Sequence, residues 1–277
     1  MTIPEIIIRV SHWFPENLKT LLRGRRESPN RLATLIHSLL NRVSMDRYPV
    51  LPCEGVLRGY RMRVDWQIHR SFAYGSWEPE VVGMIKQQVT AGMRVLDLGA
   101  QSGFYSLLFS KLVGPDGSVI AFEPLPANYR VLEENLNLNR ITNVTVERSA
   151  VTDRSGETSF DFPVDEPTLV AGPVRESDNQ GTFTVPSISI DDFIIQRRIS
   201  VHFIKIDVEG AEELVLRGAM RTLEEFHPIL AIELHSAGQE PPSLSIPLRL
   251  RALGYQVRWL TEGDYTSHIL ATWGTKT

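Results

Sequence analysis

The sequence predicts an α/β fold, in which a doubly wound and mostly parallel sheet carries a C-terminal antiparallel hairpin and follows an N-terminal helical segment. From about residue 76 onward, short apolar runs alternate with amphipathic stretches, an order typical of parallel strands covered by helices on both faces. Two alternating runs near the end, at 255–260 and 266–272, are joined by turn-forming residues and indicate the hairpin. Such a hairpin gives a parallel sheet an antiparallel edge.

Two regions of the chain differ in their patterns. Residues 1–75 predict a helical extension, with apolar positions at helical spacing up to about residue 47, followed by short strands around the alternating run GYRMRVDW. Residues 76–277 predict the main α/β domain.

The main domain is predicted to alternate strands and helices in chain order. Its strands before the hairpin are predicted at 93–98, 117–123, 143–149, 201–207 and 228–234. Its helices are predicted where apolar residues recur at helical spacing, at 103–112, 126–139 and 211–226. Residues 152–190 are rich in proline, glycine and acids, and an irregular segment of this length is typical of a functional loop such as a lid over a pocket.

The composition excludes several classes of protein. With 277 residues, 42% hydrophobic and 22% charged, the chain matches a globular protein and not a disordered or fibrous one. The single cysteine, Cys53, excludes an internal disulfide and a multi-cysteine zinc site. The net charge of −4 offers no electrostatic basis for binding nucleic acid. No apolar run is long enough for a transmembrane helix and the start lacks a secretory pattern, so we expect a cytoplasmic protein.

A glycine loop follows the first strand of the main domain. The segment DLGAQSG places Asp97, Gly99, Ala100 and Gly103 between a strand and a helix, where glycines permit close approach and helix amides face a ligand. Glu123 comes twenty residues after Gly103, at the end of the next strand. A carboxylate there can bind both ribose hydroxyls of an adenosine, so the spacing predicts a nucleoside site.

The form of the loop favours a ligand without a pyrophosphate. Dinucleotide-binding loops need a middle glycine, and Gln101 stands in that place, which argues against the alternative of a nucleotide-dependent oxidoreductase. The acid Asp97 is suited to the ammonium group of an amino acid, directly or through water. S-adenosylmethionine is the ligand that joins adenosine to an amino acid.

Several segments together resemble one known family. The runs VLDLGAQSGFYSLLFSKL, FIKIDVEGAEELVLRGA and HPILAIELH are similar to those of the FkbM-type methyltransferases, and the likeness extends from about Tyr74 to His235. These are S-adenosylmethionine-dependent O-methyltransferases of the class I, Rossmann-like fold. The resemblance implies that residues 76–277 form the methyltransferase domain and that its acceptor is a hydroxyl of a sugar, glycan or secondary metabolite.

The resemblance also implies contacts with the cofactor. The loop residues and Glu123 would bind it, with Ser149 and Ala150 beside the adenine. Glu78 matches an acid that the family carries before its first strand, where it could reach the methionine end. The alternative is that Glu78 is only an acid at a helix N-terminus, next to Pro79.

Carboxylates and one imidazole end two neighbouring strands. Asp207 and Glu209 end the fourth strand, where ligands bind in such sheets, and Lys205 lies two residues earlier on the same side. A buried lysine there needs a carboxylate partner or a lowered pKa. Glu233 and His235 end the fifth strand.

These residues predict the chemistry of transfer. His235 is the first candidate for the general base, because an unperturbed imidazole titrates near pH 6.5. Asp207 would orient the acceptor hydroxyl or act as the base itself. Asp207 and Glu233 offer oxygen ligands for Mg²⁺, an option we do not favour because two carboxylates do not define a cage.

Two further alternatives stay open at this level. A non-catalytic module would bind S-adenosylmethionine tightly without turnover. N-methylation is a second option, but the run typical of N-methyltransferases after the fourth strand is absent, and IDVEG stands in its place.

Overall fold

A computed structural model of the protein describes residues 48–66, 68–161, 182–236, 244–263 and 265–274. The predicted N-terminal helices, in residues 1–47, and the middle of the predicted lid, residues 162–181, lie outside the described residues. The chain forms two compact units, one of Met1–Pro79 with Glu134–Arg140 and one of Glu80–Glu133 with Ile141–Thr277.

The first unit contains a short antiparallel strand pair. Strands β1 (Val50–Pro52) and β2 (Arg61–Arg63) pair around the turn at Gly55–Leu57, and helix α1 (Arg70–Tyr74) follows. The side chain of Asn135 accepts a bond from the Arg63 amide at 2.6 Å and donates to its carbonyl at 3.2 Å, which closes the edge of β2. The strands predicted in this region are therefore confirmed.

The remaining elements include the strands and helices that the sequence predicts for the main domain, in the predicted order. In chain order they are α2 (Pro79–Gln88), β3 (Arg94–Leu98), α3 (Phe104–Val113), β4 (Ser118–Phe122), α4 (Pro126–Leu138), β5 (Val144–Glu147), β6 (Ala150–Val151), β7 (Gly156–Asp161), β8 (Thr182–Ile188), α5 (Ile190–Arg197), β9 (Phe203–Ile206), α6 (Glu212–Arg217), α7 (Met220–Phe226), β10 (Ile229–His235), α8 (Ser245–Leu253), β11 (Tyr255–Thr261) and β12 (Thr266–Trp273). Within the described ranges, no helix combines the length and the apolar character that a membrane crossing requires.

The second unit is built on a seven-stranded sheet in the order β11-β12-β10-β9-β3-β4-β5. The five strands from β10 to β5 are parallel, and β12 lies antiparallel between β10 and β11. All four residues of β9 are buried, as expected for a central parallel strand covered on both faces. The doubly wound sheet and its C-terminal hairpin are confirmed.

The prediction that residues 152–190 are irregular is wrong in part. The two ends of this segment form β7 and β8, an antiparallel pair, and β6 joins β8 on the other side to complete a three-stranded sheet. The alternation that marks β8 is short, and the proline and glycine content of the neighbouring residues hid it.

The helical stretch predicted at 211–226 is two helices. It breaks between α6 and α7 at Gly218, where a Cβ atom would collide with the carbonyl oxygen of Thr152. The contact is between segments distant in sequence, so helical periodicity gives no sign of it. Helix α8, which precedes the hairpin, was not predicted.

Candidate functional site

The carboxyl ends of the parallel strands place two groups of residues at one edge of the seven-stranded sheet. The cofactor loop, residues 97–103, follows β3, and the end of β4 lies beside it. We call the second group the strand-end cluster; it comprises Asp207, Glu209, Glu212, Glu233 and His235. In open α/β sheets this edge is where ligands bind.

The cofactor loop is shaped by left-handed backbone conformations. Gly99 has φ 80°, Gln101 φ 49° and Gly103 φ 92°. The carbonyl of Phe122 accepts the amides of Gly99 and Ala100 at 3.0 and 2.9 Å. A Cβ atom on Gly99 would collide with the carbonyl oxygen of Asp207. The absence of a side chain at Gly99 therefore allows the loop to lie close to the carbonyl of Asp207, which follows the neighbouring strand β9. This contact joins the loop to the strand-end cluster.

Glu123 fixes the loop from the end of β4. The carboxylate is buried and accepts bonds from the amide of Gln101 at 2.8 Å and the amide of Leu125 at 2.9 Å, and from Asn128 Nδ2 at 3.3 Å. Burial raises the pKa of Glu123 to about 7, although these donors oppose the shift. The carboxylate thus lies beside the loop, as the nucleoside site requires.

Asp97 supplies the buried acceptor that fits an amino-acid ligand. Its Oδ2 accepts a bond from Ser106 Oγ at 2.6 Å, and burial raises its pKa despite the nearby Lys205 charge. Its Oδ1 has no hydrogen-bond partner among the described residues, and its contact with Lys205 Nζ is 3.9 Å long. A buried oxygen in that state is suited to a donor from a ligand or from a bound water.

Lys205 joins the two groups of residues. The side chain is buried, and its Nζ donates to Asp207 Oδ2 at 3.0 Å and lies 4.6 Å from the centre of the Tyr105 ring. The carboxylate partner expected for this lysine is confirmed. Because the same ammonium also faces Asp97, it couples the charge beside the cofactor loop to the charge of the strand-end cluster.

His235 lies between carboxylates on both sides of its ring. Its Nδ1 is 2.8 Å from Glu212 Oε1, and its Nε2 is 3.2 Å from Glu209 Oε2. The same Nε2 lies 3.6 Å from Glu233 Oε1 and 3.9 Å from Asp207 Oδ1. Both nitrogens therefore face acceptors, the arrangement that suits a doubly protonated imidazolium.

The electrostatics of the cluster differ from the sequence-based expectation. Burial acts to lower the pKa of His235, but the Glu212 bond and the surrounding carboxylates outweigh it and raise the pKa to about 9, not 6.5. Burial raises the pKa of Glu209 to about 7 against the pull of His235. Burial also acts to raise the pKa of Asp207, but the Lys205 and His235 charges hold it below its usual range. A carboxyl group whose pKa lies near neutral pH can exchange a proton there, and Glu209 is such a group.

The same cluster contains a group of metal-ligand type. Ligand atoms of Asp207, Glu233 and His235 lie within 4.8 Å of one another. A metal would need the lone pair of His235 Nε2, which in this arrangement faces Glu209 at 3.2 Å. Asp207 already accepts the bond of Lys205. As arranged, these residues suit a proton on His235 better than a divalent ion.

Two other residues predicted at the site, Ser149 and Ala150, lie at β6 and belong to neither group. Ala150 is buried in β6 opposite Ser187, with Ser149 directly before it. Glu78 belongs to the first unit and directly precedes α2 with φ 38°. Their contacts with the adenine and the methionine end stay predictions.

Two residues of the site were missed from the sequence. Glu212 is the nearest partner of His235, and its only signal was its place in the run IKIDVEGAE, three residues after Glu209. His268 lies on β12 opposite Glu233, with Nε2 3.3 Å from Glu233 Oε2. The pairing of β12 with β10 brings it there, which sequence patterns do not reveal.

A family model identifies the chain. The model of the methyltransferase FkbM domain matches residues 97–257, more than half of the chain, and the match includes both the cofactor loop and the strand-end cluster. The chain belongs to this family. The predicted family, the class I methyltransferase fold and the cofactor S-adenosylmethionine are thereby confirmed.

Two similar curated proteins each match only a part of the chain. A protein-L-isoaspartate O-methyltransferase of Fervidobacterium nodosum is 33% identical over 70 residues, which is 24% of this chain and 35% of the relative. Methyltransferase 1 of Beauveria bassiana is 24% identical over 146 residues, 45% of this chain and 57% of the relative. The chain thus spans less than two thirds of the length of either relative.

Similar solved structures include other methyltransferases. The methyltransferase FkbM of Methylobacillus flagellatus is 18% identical, with a TM-score of 0.46, over 76% of this chain and 56% of that one. A SAM-dependent methyltransferase of Aquifex aeolicus is 22% identical, with a TM-score of 0.42, over 71% of this chain and 90% of that one.

Proposed function

We propose that the protein transfers a methyl group from S-adenosylmethionine to a hydroxyl oxygen of a sugar, glycan or secondary metabolite. The observation that carries the proposal is the bridge of Lys205, which faces Asp97 beside the cofactor loop and binds Asp207 in the strand-end cluster. Methyl donor and acceptor then meet at one edge of the sheet, and holding two reactants together lowers the barrier by roughly 7–11 kcal/mol.

Glu209 is the proposed general base. S-adenosylmethionine, when bound, supplies an electrophilic methyl group on a positively charged sulfur. If the methyl group is transferred to the oxygen and S-adenosylhomocysteine leaves, the Glu209 carboxylate would take the hydroxyl proton, and its pKa of about 7 suits that task near neutral pH. His235 stays charged and holds Glu209 through Nε2, 3.2 Å away. The earlier candidates, His235 and Asp207, then orient and balance charge instead of taking the proton.

Oxygen is the proposed acceptor atom because a neutral hydroxyl must lose a proton during the transfer. The proposed base Glu209 would accept that proton. The Fervidobacterium relative, an O-methyltransferase by name, supports the same atom. No nucleic acid is required by this proposal, and a cytoplasmic location stays a prediction from the sequence.

The proposal is tested with methyl-labelled S-adenosylmethionine and a panel of glycosides and hydroxylated natural products. We expect label in a product that survives mild base, as an ether does. Label released by base would mean a carboxylate acceptor and would overturn the hydroxyl assignment. Tight binding of S-adenosylhomocysteine with no transfer to any hydroxyl would favour the non-catalytic module.

Removal of divalent metals is expected to leave the protein unaffected. His235 Nε2 faces Glu209 at 3.2 Å and one oxygen of Asp207 accepts the bond of Lys205, so the transfer is expected to run without an ion in the cluster. Calorimetry with S-adenosylhomocysteine and the transfer assay, each with and without EDTA, should give the same affinity and rate within about twofold. Loss of transfer with EDTA and its return with Mg²⁺ would assign a metal to the strand-end cluster.

Cofactor affinity is expected to fall as the pH is lowered through about 7. The pKa of Glu123 is about 7 without ligand, and ribose hydroxyls that donate to the carboxylate would favour its charged form. Binding then releases a proton at and below pH 7, and affinity is greatest above it. Calorimetry at pH 6 and pH 8, in buffers with different heats of ionisation, measures both effects. Equal affinity with no proton release would mean that the ribose does not bind Glu123.

A further inference from the structure

Glu212 makes two contacts of different kinds through one oxygen atom. The carboxylate is buried, with 4% of the residue exposed, at the start of α6. Its Oε1 accepts the amide of Gly210 at 2.9 Å and also lies 2.8 Å from His235 Nδ1. A carboxylate this deeply buried is tolerated only when it is well bonded, so both contacts bear on what Glu212 does.

The first contact shapes the turn that carries Glu209. Glu209 has φ 54° and Gly210 φ 100°, two successive left-handed residues, and the first is a conformation that a glutamate rarely adopts. The bond from the Gly210 amide to Glu212 closes this turn immediately after Glu209. The turn aims the Glu209 carboxylate at His235, with Oε2 3.2 Å from Nε2.

The second contact sets the direction of the His235 ring. With Nδ1 bound to Glu212, the ring presents Nε2 to the remaining acids, which are Glu209 and Asp207 after β9 and Glu233 on β10. On the far side, Lys205 binds Asp207 and His268 faces Glu233, so those two acids already have cationic or imidazole partners. Glu209 is the acid nearest to His235 Nε2.

We infer that Glu212 is a positioning residue, which holds both the Glu209 turn and the His235 ring so that Glu209 is presented to the acceptor hydroxyl. This inference rests on the proposed function for its catalytic meaning. The contacts themselves can be tested without turnover.

Two substitutions separate the two tasks. Glu212→Gln keeps an oxygen that can accept the Gly210 amide but removes the negative charge beside Nδ1. Glu212→Ala removes both. The matched control is Glu213→Gln, the next residue of α6, whose carboxylate binds Arg249 and Ser245 away from the cluster.

The direct readout is the titration of His235 by NMR of its imidazole carbon and nitrogens, in the full chain. For Glu212→Gln we expect the pKa of His235 to fall from about 9 by about one pH unit or more, because the charge bonded to Nδ1 is lost. The Glu213→Gln control should leave the pKa of His235 unchanged. An unchanged His235 titration in Glu212→Gln would overturn the inference.

Activity distinguishes this inference from the proposed function. We expect the fall of kcat/KM at high pH to begin at a lower pH in Glu212→Gln. The affinity for S-adenosylhomocysteine should be unchanged. Glu212→Ala should lose kcat about tenfold further because the turn is also released. A uniform loss of activity at all pH values, in step with a lower melting temperature, would make Glu212 merely structural. A shifted His235 titration with no methyl transfer from the wild-type chain would instead refute the proposed function and leave the contact intact.

Discussion

Replacement of Glu123 with alanine is expected to weaken the binding of S-adenosylmethionine by about 100-fold or more. A hydrogen bond to a charged group contributes about 1.5–3 kcal/mol, and the carboxylate would bind two ribose hydroxyls. The substitution also leaves the amides of Gln101 and Leu125 without their acceptor, so the cofactor loop loses its fixed shape. Calorimetry with S-adenosylhomocysteine measures the effect at pH 8, where the wild-type carboxylate is charged.

Two variants make this result specific. Glu123→Gln retains an acceptor without the charge and should lie between the wild type and Glu123→Ala. Glu133→Ala, a half-exposed residue that pairs with Arg148, should bind normally. Melting curves without ligand show whether each variant is folded. Normal affinity in a folded Glu123→Ala protein would confine the carboxylate to a structural role in the loop.

Replacement of Glu209 with glutamine is expected to lower kcat by about 10²- to 10⁴-fold, the usual contribution of a general base. In the wild type, kcat/KM should rise as the pH passes about 7, because the base acts only after Glu209 has lost its proton. This rise of kcat/KM with pH should be absent in Glu209→Gln. The affinity for S-adenosylhomocysteine should be unchanged, since Glu209 is bonded within the strand-end cluster.

The pH profile also decides between the candidate bases. A rise near pH 9 would assign the base to neutral His235, whose pKa is about 9. Glu224→Gln, an exposed substitution on α7, is the matched control and should retain full activity. Loss of cofactor affinity in parallel with kcat would place Glu209 in the cofactor site and contradict its role as base.

The sequence predicted the seven strands of the main sheet because each depends on a local pattern. Short apolar runs identified β3, β4, β9 and β10, and spacing placed the cofactor loop and Glu123 beside each other. The strand pair β7 and β8 escaped because its pairing joins residues far apart in the chain. The break at Gly218 escaped because it depends on a contact with Thr152.

What the sequence determined by itself is the family, the cofactor and the strand ends that carry the acids. Periodicity and spacing involve residues that are near one another in the chain, so the sequence alone reveals them. The state of His235 was decided only by the tertiary structure. Its nearest partner, Glu212, belongs to a helix that precedes the strand of His235, and four carboxylates from three elements meet around one ring. Because a pKa depends on distance and burial, the proposal that Glu209 and not His235 is the base could come only from the folded chain.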